Sequence, residues 1–281
     1  MTAQVERMRA SAAARWRLTG FKTVREAPNG AVWTAQAESW GSVVLKWDDD
    51  PARVRAAYGM LLQLDGRACC RVYACDVQEG LLLEERVMPG ESLRAVTSLR
   101  ERVEAFAAVF GAIHGLPGGE ADYLAWLDDA CRFCKGTRDA QAQAWAELAR
   151  SCCAQLFEAY ADRTLLHGDL HHDNLLRRSC GGYAMIDPKA VTGPAILDVP
   201  RFLINELGTP YTEADTAHIQ RVAGLLSERL HYPLADVWRA GLMEAVLANV
   251  WRMEDGGDAD PRLTEIAACL RENLARETQL A

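Results

Sequence analysis

From residue 28 to residue 88 the apolar positions come in short runs separated by turn signals, a texture that predicts strands. Residues 31–37 follow Pro28-Asn29-Gly30, and residues 42–47 follow Ser39-Trp40-Gly41, so the two runs predict a hairpin. Asp50-Pro51 opens a helical stretch to about Leu64, with proline at a favoured first-turn position. Runs at 70–75 and 80–86 are two further strand candidates. The predicted order is strands, helix, strands.

After Met88-Pro89-Gly90 the period changes. Val103, Phe106, Val109, Phe110 and Ile113 give residues 92–115 the three-and-four spacing of a helix, closed by His114-Gly115. Further helices fit 120–135, 139–161, 213–230, 233–254 and 261–278, and one island at 164–188 interrupts them with two short apolar runs around a polar loop. A leading helix beginning near Thr2 fits the N-terminal stretch. Its Arg7, Arg9, Arg15 and Arg17 faintly resemble a transit peptide, without the unbroken apolar core of a secretory signal. The reading is α+β: a small β-rich lobe, residues 1–88, and a larger helical lobe, residues 89–281, with a cleft between them as the expected ligand site.

Composition narrows the function classes. At 281 residues, 49% hydrophobic and 25% charged, the chain is ordinary globular protein, which excludes a disordered or fibrous one. A net charge of −8 argues against a general nucleic-acid binder. No run of about 18 apolar residues is present, so no membrane span is expected. Nine cysteines, an odd number in a chain long enough to need no staples, point to a reducing, cytoplasmic setting. Cys131-x-x-Cys134 and Cys152-Cys153 lie in helical stretches and predict buried thiols rather than a zinc knuckle.

The island carries the chemistry. It reads His167-Gly-Asp169-Leu-His171-His172-Asp173-Asn174, and thirteen residues after Asn174 an apolar run ends in Asp187. An Asp, an Asn five positions on, and a second Asp closing a strand form the minimum apparatus for phosphoryl transfer. The first carboxylate orients the attacking hydroxyl, and the other two side chains are hard oxygen ligands for Mg²⁺. A rival chemistry is a metal hydrolase built on His167, Asp169, His171, His172 and Asp173, which leaves Asn174 and Asp187 without roles.

The stretch from His167 to Asn174 resembles the catalytic signature of the aminoglycoside phosphotransferase superfamily of small-molecule kinases. Ile186-Asp-Pro-Lys189, followed by Gly193-Pro-Ala-Ile-Leu-Asp198-Val-Pro-Arg-Phe202, is similar to its aminoglycoside/hydroxyurea resistance kinase branch, the streptomycin 6-phosphotransferase type. Leu81-Leu-Leu-Glu-Glu-Arg86 with Pro89-Gly90-Glu-Ser-Leu93 resembles that branch's hinge, and Ile113-His-Gly-Leu-Pro117 and the run from Glu244 to Trp251 are similar to it as well. The resemblance spans about 30–255 and is strongest over 164–205.

It implies a bilobal protein-kinase-like fold with ATP and Mg²⁺ as cofactors. By the same resemblance Asp169 is the catalytic base, and Asn174 and Asp187 are the magnesium ligands. His167 braces the loop from behind, and Asp198 ties down its backbone. Lys46 contacts the nucleotide phosphates, while the segment 84–88, with Glu85, Arg86 and Val87 at its centre, offers backbone hydrogen bonds to adenine.

Two features depart from the pattern. The kinase lysine normally pairs with a Glu on the following helix, yet none occurs between Trp47 and Leu64; either an Asp of 48–50 substitutes or the phosphates alone hold Lys46. The phosphate loop has a single glycine, Gly30, which keeps a non-catalytic nucleotide-binding module among the alternatives.

The acceptor is expected to be a small molecule bearing a hydroxyl, with other metabolite alcohols as the alternative to an aminoglycoside. The first 88 residues carry 12 Lys+Arg against 11 Asp+Glu and the rest 19 against 28, so the acidic excess lies with the acceptor and favours a cationic one. Acidic candidates are Glu206, Glu254, Asp255, Asp258 and Asp260. Trp126, Trp145 and Trp251 are possible ring-stacking groups, better read as core by their spacing. No oligomeric state is assigned.

Overall fold

A computed structural model describes residues 3–118, 122–137, 139–208 and 210–280. Thr2 and residues 120 and 121, where two helices were expected to begin, lie outside the described residues. The chain divides into two compact units. One takes residues 1–95 together with 173–190; the other takes 96–172 and 191–281.

The first unit is built on an antiparallel five-stranded sheet in the order β1-β2-β3-β5-β4, from β1 (Leu18–Ala27), β2 (Gly30–Ala37), β3 (Gly41–Asp48), β4 (Val72–Asp76) and β5 (Leu81–Glu85). Alternation decides which face is buried. Ala31, Trp33, Ala35 and Ala37 of β2 point the same way as Val43, Leu45 and Trp47 of β3 and Leu81 and Leu83 of β5. The first helix, α1 (Ala3–Trp16), covers that face with Val5, Met8 and Ala12.

Lys46, Leu82 and Glu84 therefore belong to the opposite face. Helix α2 (Pro51–Leu64) begins where expected, capped by Asp50 through the Ala52 amide at 2.9 Å, with Pro51 in its first turn. Gly80, with φ +72°, makes the turn before β5, where any Cβ would overlap the Asp48 carbonyl.

A second sheet completes this unit. Strand β6 (Pro89–Ser92) pairs with β8 (Leu175–Arg178), which pairs with β9 (Tyr183–Met185). Strands β8 and β9 of the island thus join the first unit rather than the helices that flank the island in sequence. Strand β1 escapes sequence reading because only Leu18 of its ten residues is buried, so it carries no alternation.

The second unit is mainly helical: α3 (Leu99–Ile113), α4 (Tyr123–Gly136), α5 (Ala140–Ala159), α6 (Pro200–Ile204), α7 (Glu213–Leu230), α8 (Leu234–Glu254) and α9 (Pro261–Leu280). The predicted 92–115 helix starts only at Leu99, because Ser98 caps it through the Glu101 amide at 3.3 Å. Helix α8 is buried around most of its circumference and packs against α5, α9, α4, α6 and α7, so it is the core of this unit. A two-stranded pair, β7 (Thr164–Leu166) with β10 (Val191–Gly193), brackets the polar loop.

The nine cysteines are free thiols. Cys131 and Cys134 are buried on α4, and Cys152 and Cys153 on α5. Among the described residues no helix is long and apolar enough to cross a membrane.

Candidate functional site

In the first unit two carboxylates converge on Lys46. Its Nζ lies 3.0 Å from Glu84 Oε2 and 3.2 Å from Asp187 Oδ1. Strand register explains the first contact: Lys46 is opposite Leu82, and Glu84, two residues further on, shares its face as a diagonal neighbour. Glu84, not an Asp of 48–50, is thus the carboxylate partner of Lys46. Asp48 and Asp50 are engaged with the Asp50 amide, the Ala52 amide and Arg53 instead.

Glu84 is almost wholly buried. Burial alone would lower the pKa of the Lys46 ammonium, but the charges of Glu84 and Asp187 outweigh it and hold Lys46 protonated. Burial pushes the Glu84 carboxyl up, and the charge of Lys46 opposes that shift.

Asp187 sits just past β9 with φ +62°, an unusual conformation for a residue that is not glycine. Its Oδ2 lies 3.5 Å from Lys189 Nζ. Asn174 is brought beside it through the backbone, because the Ile186 amide donates to the Asn174 carbonyl at 2.9 Å. An amide and a carboxylate are hard oxygen donors that suit Mg²⁺, which takes one or two protein oxygens and completes its shell with water and phosphate. Asp173 is held by Arg94 in a two-pronged pair at 2.7 and 2.6 Å.

The segment expected to meet adenine follows directly in the chain. Glu85 ends β5, its side chain facing Arg178 and the Arg71 amide, while Arg86 and the buried Val87 continue beyond the ladder.

In the second unit the loop carrying Asp169 is pinned from below. The wholly buried Asp198 carboxylate accepts the His167 and Gly168 amides, each at 2.7 Å, and lies 2.9 Å from His114 Nε2. His167, also buried, accepts the Asp169 amide on Nδ1 at 3.1 Å. Gly168 has φ +77°, which this tight path requires. Asp169 Oδ1 takes a 2.7 Å hydrogen bond from Arg201 Nε on α6, and His171 Nε2 lies 3.7 Å away. Arg201 in turn lies 3.3 Å from Glu244, a buried residue on α8 to which the Tyr123 hydroxyl donates at 2.7 Å. Arg201 and Glu244 were not singled out from sequence.

The rival metal-hydrolase reading finds no support in this geometry. His167 is committed to the loop backbone, His172 stacks on Phe202 with ring centroids 3.9 Å apart, and Asp173 faces Arg94. Among the described residues no three His, Cys, Asp or Glu side chains converge to hold a metal.

Glu206 is not a solvated acceptor group either. It is paired with Arg102 and lies 3.3 Å from the buried His172. Trp126 packs edge-on against Trp251 at 5.3 Å and also touches Tyr123, and both tryptophans are half-buried rather than core.

Asp198 gives this site a pH signature. Burial would raise its pKa, but the hydrogen bond and charge of His114, the charge of His167 and the Gly168 amide overcome burial and lower it. A depressed carboxyl stabilises the fold above the ordinary Asp range near 4 and loses that contribution as pH falls through its folded value. Asp198→Asn is expected to cost about 3 kcal/mol at neutral pH and to flatten the acid limb of stability. Urea melts of both proteins at pH 7 and pH 3 check this, and a parallel loss at both values would contradict it.

The described units, an antiparallel sheet bearing a paired lysine and a helical unit bearing a pinned Asp loop, define the protein-kinase-like class of small-molecule kinase folds. Residues 15–256 match the family model of the aminoglycoside/hydroxyurea antibiotic resistance kinases, and the chain belongs to that family. A hydroxyurea phosphotransferase of Kitasatospora aureofaciens is 30% identical over 205 residues, 70% of this chain and 58% of that protein. The chain thus matches less than two thirds of that relative's length.

Among solved structures, choline kinase LicA from Streptococcus pneumoniae superposes with a TM-score of 0.69 at 13% identity, covering 98% of this chain and 100% of that one. The aminoglycoside phosphotransferase APH(4)-Ia, solved as a ternary complex with AMP-PNP and hygromycin B, gives 0.67 at 15% identity, covering 91% and 95%. At these identities the likeness is one of fold.

Proposed function

We propose that this chain transfers the γ-phosphoryl group of ATP to a hydroxyl of a small acceptor, with Asp169 orienting that hydroxyl. The observation that carries the reading is the gathering in one unit of Lys46 with Asp187 and with Asn174, which follows Asp169 by five residues. Phosphoryl transfer needs little covalent chemistry from the protein, so a cation for the phosphates, two oxygen ligands and one carboxylate suffice.

Lys46, kept charged by Glu84, faces the phosphates. Asn174 and Asp187 hold Mg²⁺, which when bound neutralises charge building up on the phosphoryl oxygens. Asp169 accepts the hydrogen bond of the acceptor hydroxyl and takes its proton as the new P–O bond forms and the bond to ADP breaks. Arg86 and Val87 present backbone groups to the base. The unit of residues 1–95 and 173–190 handles the nucleotide, and the helical unit the acceptor.

At the finer level the acceptor is an aminocyclitol of the streptomycin type. The net −9 beyond residue 88 favours a polycation over neutral hydroxyurea.

ADP release measured with streptomycin, hydroxyurea, choline and ethanolamine as acceptors tests the reading. Turnover with streptomycin is expected, with a KM that rises as salt is added. Turnover with hydroxyurea or choline alone would overturn the acceptor class. ATP binding without turnover on any acceptor would overturn the enzyme.

A further inference from the structure

We propose that Arg201 is a positioning residue for Asp169, fixed in turn by Glu244 and Tyr123. This rests on the reading of Asp169 as the group that meets the acceptor hydroxyl. The loop backbone and the Asp169 side chain are secured by different residues. Asp198 takes the amides of His167 and Gly168, and His167 takes the amide of Asp169; none of these contacts sets the rotation of the Asp169 carboxylate. Arg201 does, by donating from Nε to Oδ1 at 2.7 Å.

The guanidinium is itself held. Its Nε lies 3.3 Å from Glu244 Oε1, and the Tyr123 hydroxyl donates to Glu244 Oε2 at 2.7 Å. The chain Tyr123–Glu244–Arg201–Asp169 therefore runs from the buried core of the helical unit to the loop, through residues of α4, α8 and α6.

Stability alone is a poor explanation for this arrangement. Glu244 is 1% exposed and Arg201 only 26%, and a buried ion pair gains little over apolar residues of the same volume because both charges lose their hydration. Two carboxylates face one guanidinium, Asp169 through a hydrogen bond and Glu244 through an ion-pair contact, so the set carries net negative charge in a place where charge is costly. A fixed carboxylate is what such a set produces. Phosphoryl transfer depends on alignment, and a displacement of about 1 Å in a reacting group costs about 10²-fold. The guanidinium fork also holds a carboxylate in one plane, which a lysine ammonium does not.

The test is a double-mutant cycle on kcat and KM with ATP, Mg²⁺ and a turned-over acceptor. Arg201→Ala is expected to lower kcat about 10²-fold with KM for both substrates within about threefold of wild type. Arg201→Lys recovers part of that loss. In the Asp169→Asn background, Arg201→Ala costs nothing further, because there is no catalytic carboxylate left to orient. Glu244→Gln keeps the shape and the Tyr123 partner while weakening the anchor, and is expected to lose about 10-fold in kcat by the same reasoning. It carries the test alone if Arg201→Ala fails to fold.

A folded Arg201→Ala protein with kcat within threefold of wild type overturns the inference. So does an Arg201→Ala loss of equal size in both backgrounds, which marks general structural damage. For Glu244→Gln alone, an unchanged kcat does the same. An Asp169→Asn protein with unchanged turnover defeats the functional reading itself, a result separate from any of these.

Discussion

Asp169→Asn is expected to lower kcat for phosphoryl transfer by about 10³-fold while leaving ATP affinity within a factor of about two, the range a positioned base contributes. The substitution removes the charge and the proton acceptor but keeps the side chain's size. The loop is held by contacts that Asn preserves: the residue 169 amide to His167, and the His167 and Gly168 amides to Asp198. Lys46, Asp187 and Asn174, the groups proposed to meet the nucleotide, belong to the other compact unit, so ATP affinity is expected to hold. Titration calorimetry with ATP and steady-state rates on one preparation separate the two effects. A kcat within threefold of wild type would remove Asp169 from the mechanism.

Lys46→Met is expected to do two things at once. It removes the charge proposed to face the phosphates, and it strands Glu84, which is 2% exposed and has lost its ammonium partner. Uncompensated buried charge costs about 3 to 5 kcal/mol, so the variant melts earlier and transfers phosphate at least 10²-fold more slowly.

Replacing both residues separates these losses. Lys46→Met with Glu84→Met leaves an apolar pair in place of the ion pair and is expected to regain most of the stability while staying inactive. Urea melts and rates on the two single variants and the double variant check this. A double variant as unstable as Lys46→Met would show that Glu84 is not the partner that matters.

What the sequence revealed follows from what local pattern can carry. Lys46 was legible because a lysine inside Val-Val-Leu-Lys-Trp is out of place on a buried strand. Asp169, Asn174 and Asp187 were legible because their spacing is fixed by a single loop and strand. Glu84 was harder: its role depends on the register between β3 and β5, and the adjacent Glu85 has the same composition signal but faces Arg178.

Arg201 was hidden in an apolar stretch whose meaning depends on Asp169 and on α8, far along the chain. Helix α2 was legible because Asp50-Pro51 marks its start; α7 was read from its apolar spacing, and the structure adds a Thr212–Asp215 capping box at its start. Strand β1 carries no such mark and almost no buried side chains. The assignment of 173–190 to the first unit depends on β6–β8 pairing, which no local pattern encodes.

The most direct test of the central claim is ³¹P NMR of the intact protein turning over ATP with Mg²⁺ and streptomycin, run beside Asp169→Asn. The account predicts a new phosphate-monoester resonance on the acceptor, growing as the γ-phosphate resonance of ATP disappears, and no such signal from the variant. A γ-phosphate resonance that persists in the wild-type sample, or one that decays only to inorganic phosphate, would contradict it.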